Sequence, residues 1–426
     1  MDTIFAMSTA PGKAGVAVLR LSGPLAHDVT EAFSGALPAP RELRLRRLVD
    51  RKGSLIDEAM VAVFSEGASF TGESSAEWHL HGSIAVQRAA LASLSEEAGL
   101  RPAEAGEFTR RALLNGRLDI GQIEGLGDLI EAETEAQRKR ALGALDGRMR
   151  DRVDTLRTRL VRALALLETT IDFADEEVPE DLSSDVLADI HAVQDLLAEE
   201  LQSSAAAERV RVGYEVALVG APNAGKSTLL NYLAGRDAAI TSNIAGTTRD
   251  VIEVRMDIDG LPVTFLDTAG LREAQDEVEA IGIGRSRTRI DAADLRVLLA
   301  DDEPATGIDL RPGDILVAGK ADLSGAKDGV SGVTGQGVHE LMVRVSKELG
   351  TRVASAGVFD RERHRVAAKY AFGALDAAKD ALSDGAPTEI AAEEIRAAVL
   401  ALDKLIGRVG VEDVLDEVFA RFCIGK

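Results

Sequence analysis

The stretch GAPNAGKST, Gly220 to Thr228, constrains this chain of 426 residues more than any other. It follows the apolar run EVALV and precedes LLNYLAG, which has helical spacing. A strand, a glycine-rich turn and a helix in that order form a P-loop, and a P-loop requires an α/β unit to hold it. Its glycines let successive backbone N–H groups face an anion at the start of the helix. Lys226 places a point charge at the β- and γ-phosphates and Ser227 supplies a hydroxyl to Mg²⁺, while Asn223, Ala224, Gly225 and Thr228 complete the cradle.

Two further phosphate-side elements follow in the expected order. TSNIAGTTRD (241–250) offers Thr248 as a hydroxyl for Mg²⁺, and DTAG after the strand VTFL offers Asp267 to the Mg²⁺ shell and the Gly270 N–H to the γ-phosphate, beside Thr268 and Ala269. Together they predict a nucleoside triphosphatase. In Ras-like proteins a glutamine after DTAG orients the attacking water. Here that residue is Leu271, which has no hydrogen-bonding group.

On the base side, GKAD (319–322) stands where guanine-binding proteins usually read NKxD. Asp322 can accept from guanine N1–H and the 2-amino group, which adenine lacks at those positions. Lys320 and the loop SGVTGQG, with Ser331, Gly332 and Val333, extend that side. Gly319 removes the usual asparagine, a loss of about 0.5–1.5 kcal/mol for one hydrogen bond. Gly319→Asn is therefore expected to tighten GTP binding modestly if the surrounding loop keeps the usual geometry.

Around this unit the texture is helical. Leu142, Leu145, Met149, Val153, Leu156, Leu160 and Leu164 recur at three- and four-residue steps, as do Leu187, Ile190, Val193, Leu197 and Leu201. The pattern returns through Val366, Tyr370, Leu375, Ile395, Val399, Leu402 and Leu405. One helical domain interrupted by an inserted α/β domain is the economical reading; two separate helical domains are the alternative. The acidic stretch 172–181 reads as a solvated connection. Before about 117 the texture is mixed, with strands at GVAVLRLSG (15–23) and MVAVF (60–64). The expected domains are 1–117, 118–212 and 353–426 (two parts of one helical domain), and 213–352.

Hydrophobic content of 46% with 28% charged residues fits a soluble globular chain. No apolar run is long enough to span a bilayer, and the start lacks a signal peptide's basic and apolar segments. The single cysteine, Cys423, fits a reducing cytoplasm. A net charge of −22 argues against broad nucleic-acid binding and leaves only local basic surfaces, such as 41–52 and 137–152, for an RNA or protein partner. His79 and His81 alternate on a strand without a third ligand, which suits a structural role better than a metal. Trp78 is expected to be a packing residue.

The segments APGKAGVAVLRLSG, SFTGE (69–73), AGEFTRRALLNGRLD (105–119), PNAGKSTLLN, IAGTTRD, DTAGLREAQDEVEAIG and the terminal FCIGK resemble the MnmE (TrmE) family of tRNA-modification GTPases along the whole chain. The resemblance implies an α+β multidomain fold: an N-terminal folate-binding and dimerising domain, a helical domain, and a Ras-like P-loop G domain inserted into it. It implies a homodimer that joins a FAD-containing MnmG-type partner in a heterotetramer. That assembly modifies carbon 5 of the wobble uridine, position 34, of certain tRNAs, using 5-formyl- or 5,10-methylene-tetrahydrofolate. Matching positions suggest folate contacts at Arg20, Glu77, Arg117 (commonly lysine in relatives) and Lys426.

The resemblance also implies what replaces the missing glutamine. A potassium ion takes the electrostatic role of an arginine, ligated by Asn223 with Ser242, Ile244 and Thr247, in a loop that includes Asn243, Ala245 and Gly246. Glu279 matches the acid that aligns the water; from the residues alone, Glu273, Asp276 and Glu277 compete with it, and Arg249 is a possible finger in cis. Cys423 reads either as a small buried hydrophobe or as a thiolate near the folate and the uridine, with Lys426 lowering its pKa. A GTP-dependent ribosome or RNA assembly factor is the alternative function, for which the N-terminal domain would be a binding module.

Overall fold

Residues 16–22 alternate buried leucines with a half-buried arginine, and that alternation gives the N-terminal sheet two different faces. The structure, a computed structural model, describes residues 2–172, 182–236, 239–240, 253–267, 290–300, 309–353, 356–409 and 425. The chain divides into two compact units, Met1–Gly127 with Asp403–Lys426, and Asp128–Leu402.

In the first unit, β1 (Thr3–Met7), β2 (Val16–Ser22), β3 (Arg44–Val49), β4 (Leu55–Phe64), β5 (Ser75–His81) and β6 (Leu100–Pro102) form a sheet in the order β3-β4-β5-β2-β1-β6. On one face, Phe5, Leu19, Leu21, Trp78 and Leu80 pack with Phe33 of α1 (Ala26–Ser34) and Leu94 of α2 (Ile84–Ser95). Trp78 is fully buried, as expected, and its indole donates to Thr30 Oγ1 at 3.2 Å. The other face packs Ile4 and Ala6 against Phe108 of α3 (Glu107–Leu114). His81 pairs with Asp57 at 2.8 Å, and His79 lies 3.5 Å from Glu77.

After α4 (Ile120–Glu131), the second unit continues with α5 (Glu135–Leu145), α6 (Arg148–Asp172) and α7 (Leu182–Val212). Val153, Leu156 and Leu160 on α6, and Ile190, Val193 and Leu197 on α7, are buried where the two helices pack. A five-stranded sheet follows: β7 (Tyr214–Gly220), β8 (Glu253–Ile258), β9 (Leu261–Asp267), β10 (Leu295–Leu299) and β11 (Ile315–Val317), in the order β11-β10-β7-β9-β8. β7 lies parallel to β9 and β10, while β8 runs antiparallel to β9. The helices α8 (Lys226–Ala234), α9 (Ala321–Ser324) and α10 (Val338–Val353) accompany it.

Beyond the sheet, α11 (Glu362–Ser383) packs on α7, and α12 (Thr388–Leu405) follows. Gln194 bonds Asp376 at 2.8 Å and Arg365 pairs with Glu208 at 2.7 Å, so the helices before and after the sheet form one body. One expectation fails here. Val366 and Tyr370 are 56% and 61% exposed, because α11 buries Ala368, Ala371, Ala374 and Ala378 beside Leu375 instead. A face of small side chains lets two helix backbones approach closely, and it turns the larger residues outward.

The start of α5 meets the sheet. Its capping box joins Thr134 to Gln137, whose side-chain amide also donates to Arg211 O at 2.9 Å. Ala136 N donates to Gly260 O at 3.1 Å, in the β8–β9 turn, and Arg255 pairs with Glu133 at 3.0 Å. Further along α5, Arg140 reaches Asp360 at 3.0 Å. Burial opposes the charge of Asp360, yet the hydrogen bond with His364 and the nearby Arg140 and Arg361 hold its carboxyl far below the usual range.

Candidate functional site

The P-loop turns on two left-handed residues, Asn223 at φ +62° and Gly225 at φ +100°, the second of which caps α8. Lys226 is 4% exposed, and its amine donates to Gly220 O at 2.9 Å and Ala221 O at 2.8 Å. The lysine thus closes the loop on itself, holding a cation where phosphate oxygens would sit. Ser227 Oγ donates to Asp267 Oδ2 at 2.5 Å, and Asp267 is 3% exposed. A hydroxyl beside a carboxylate, at the C-terminal ends of β7 and β9, is a hard-oxygen donor pair that suits Mg²⁺. Ala224 and Thr228 flank these groups.

The base-side loops sit directly on this frame. Lys320 adopts φ +49°, and its methylene stem lies against Gly225. Val330 N bonds Ala318 O at 2.8 Å and Ala321 N bonds Val330 O at 3.1 Å, which joins the two loops. Ser331 is buried and its hydroxyl accepts from Val333 N and Thr334 N, both at 3.2 Å, while Val333 itself is exposed. Asp322 is exposed on α9, so a bound base would have to supply most of its desolvation.

Gly319 behaves differently from the sequence expectation. A Cβ there would lie closer to the carbonyl oxygen of Ala224 than real Cβ atoms come to any atom, with Leu299 Cδ2 at 3.5 Å behind it. The segment has no room for an asparagine to restore a hydrogen bond. The counted gain of one bond loses to an overlap with rigid backbone.

In the first unit, Arg20 of β2 and Glu77 of β5 are cross-strand partners, joined at 2.8 and 3.0 Å. The Arg20 guanidinium also lies 5.3 Å from the Phe70 ring and 5.7 Å from the Phe108 ring. Arg117 lies along the SFTGE loop, its Cγ 3.2 Å from a Cβ built on Gly72. Gly425 sits at the end of β1, where Ser8 Oγ donates to its carbonyl at 3.1 Å and the Met7 carbonyl leaves no space for a side chain.

A second set of charges escaped sequence reasoning. Arg111 pairs with Glu107 at 3.0 Å, Glu73 at 3.1 Å and Asp2 at 2.8 Å, and Arg101 holds Glu107 from the other side. The Glu107–Arg111 spacing on α3 was a readable signal; Asp2 and Glu73 carried none. Burial pushes the Glu107 carboxyl up, but hydrogen bonds from Arg101, Glu104 N and Arg111 outweigh it and hold the group below its ordinary value.

Several expected residues lie outside the described residues: Ser242, Asn243, Ile244, Ala245, Gly246, Thr247, Thr248, Arg249, Thr268, Ala269, Gly270, Glu273, Asp276, Glu277, Glu279, Cys423 and Lys426. So does nearly all of the acidic stretch at 172–181. Among the described residues, no helix is long and apolar enough to cross a membrane.

Residues 3–117 match the family described as GTP-binding protein TrmE N-terminus, and residues 120–423 match the MnmE helical domain. The tRNA modification GTPase MnmE of Cereibacter sphaeroides is 57% identical over 100% of both chains. That of Ruegeria pomeroyi is 55% identical, again over 100% of each. Among solved structures, the FeoB G-domain from Methanococcus jannaschii is 23% identical and covers 32% of this chain and 98% of that one, with a TM-score of 0.24. With an N-terminal domain, a helical domain and a P-loop domain whose Lys226, Ser227 and Asp267 converge, the chain belongs to the MnmE family of tRNA modification GTPases.

Proposed function

We propose that this GTPase couples hydrolysis to modification of carbon 5 of the wobble uridine of certain tRNAs, as a homodimer working with a FAD-containing partner and a folate one-carbon unit. The observation that carries this reading beyond GTP hydrolysis is the seat of Gly425. It sets Gly425 at the end of β1, whose Ala6 pairs with Arg20. An assembly factor would have no need to seat Gly425 on the sheet that carries the Arg20–Glu77 pair.

In the nucleotide site, Lys226, now on two loop carbonyls, would hold the phosphate oxygens of a bound GTP, and Ser227 and Asp267 would hold Mg²⁺. Bound Mg²⁺ and K⁺ would supply positive charge against that developing on the transferring phosphoryl group. Glu279 is assigned to water alignment, and Asn223 with Ser242, Ile244 and Thr247 to potassium. Asp322 selects guanine. Arg20, Glu77, Arg117 and Lys426 are assigned to the folate, which a planar guanidinium can grip through its carboxylates or its ring.

Nucleoside mass spectrometry of tRNA from cells lacking the protein tests the reading: the C5-modified wobble uridine should vanish, and an unchanged profile would leave the assembly factor. GTP hydrolysis should be faster in potassium than in sodium; equal rates would remove the cation from the mechanism.

A further inference from the structure

At two points the base side of the nucleotide site rests on main chain, with no room for a side chain. At Gly319 a side chain would overlap the Ala224 carbonyl, and at Gly332 a Cβ would stand 2.5 Å from both Leu229 N and Thr228 C. Gly220, where β7 enters the P-loop, is closed in the same way by the Leu299 carbonyl. The loops carrying Gly319 and Gly332 are tied to each other by the bonds between Ala318, Ala321 and Val330. They therefore move as one piece, and among its contacts with the P-loop and α8 are two, at Gly319 and Gly332, where main chain meets main chain.

We propose that Gly319 is a positioning residue: its bare backbone seats the base-side loops on the P-loop, in place of the side chain that usually links them. The seat sets the height of Asp322 and Ser331 above the phosphate cradle. Any side chain at 319 has to lift the segment off Ala224, because the obstructing atom is a backbone carbonyl and cannot rotate away. Lifting it carries Asp322 with it, since Asp322 follows three residues later, and drags Gly332 off α8 through Val330. Guanine-nucleotide binding then weakens at its base end while the phosphate chemistry stays intact. The proposal rests on the assignment of Asp322 to the guanine base.

The test is a fluorescence titration of the full-length protein with a labelled GDP, alongside steady-state GTP hydrolysis. G319A and G319N should each bind GDP about 5- to 100-fold more weakly, the range expected of an overpacked contact. KM for GTP should rise with little change in kcat, because ground state and transition state lose the same contact. The preference for GDP over IDP, which lacks the 2-amino group, should shrink. Gly325, in the next turn, has φ +69° and open space around its Cβ position. G325A thus adds backbone strain without touching the seat, and it should retain wild-type affinity. Binding by G319N as tight as wild type, or tighter, overturns the proposal. If both 319 variants fail to fold, G332A presses the partner loop on α8, and wild-type GDP affinity in G332A overturns it equally. Equal binding of ADP and GDP by the wild type would instead sink the guanine reading of Asp322, a result distinct from a guanine-selective protein indifferent to G319N.

Discussion

The nucleotide site and the Arg20 face, proposed here for GTP and for folate, are made from opposite materials. The first is framed by backbone: Asn223 and Gly225 in left-handed conformations, and Gly319 and Gly332 against bare main chain, around the side chains of Lys226, Ser227 and Asp267. The second is made of side chains: Arg20 on Glu77 between two phenylalanine rings, and Arg111 among Glu73, Glu107 and Asp2. A backbone site fails when atoms are added, since its walls cannot yield. A side-chain site fails when atoms are removed, since buried partners are left unpaired.

The largest effect that sharpens the contrast is at Lys226, a buried side chain at the centre of the backbone site. Lys226→Ala should lower kcat for GTP hydrolysis by roughly 10²- to 10³-fold, as loss of a charge-stabilising donor does. Reduced-folate binding by the same variant should be unchanged, and its loss would break the division between the two sites. Arg20→Ala is the reciprocal experiment. It should weaken tetrahydrofolate binding about 10- to 100-fold, the value of a charge-assisted bond, while GTP hydrolysis persists. Calorimetry showing undiminished folate affinity would take Arg20 out of that site.

The smallest effect concerns stability. Glu107 has its folded pKa held below its ordinary value of 4.5, so its contribution is fully present above that pH and is lost as pH falls through the lowered value. Glu107→Gln should reduce stability near neutral pH by about 2 kcal/mol. It should also flatten the acid limb of the melting-temperature profile below about pH 4.5, where the wild type loses this term. An unaltered acid limb would mean that the Arg111 cluster is held by its other members.

What the sequence made legible follows the same division. The P-loop was readable because its geometry is local: the strand EVALV, the glycines and the helix are contiguous. The stripe through Val153, Leu156 and Leu160 was readable because burial repeats with the helix. At Gly319 the expectation depended on the loop keeping its usual geometry, and the distant Ala224 carbonyl removes that condition; counting hydrogen bonds says nothing about space. Val366 and Tyr370 misled because hydrophobicity was weighed without size, and α11 is packed through alanines. The pairing of Asp2 with Arg111 joins chain positions that no spacing rule connects.

The first turn of α5 has a practical consequence for dissection. Ala136 packs against the core of the inserted sheet, its N–H holds Gly260 in the β8–β9 turn, and Glu133 holds Arg255. The two strands of that hairpin lead away from IAGTTRD and into DTAG. A fragment cut at 213–352 would keep every motif proposed to contact the nucleotide and still lack the hold of α5 on the ribbon between them. The G domain therefore has a border in sequence that does not coincide with its border in space, and rates measured on the excised piece belong to a looser machine than the one the full chain assembles.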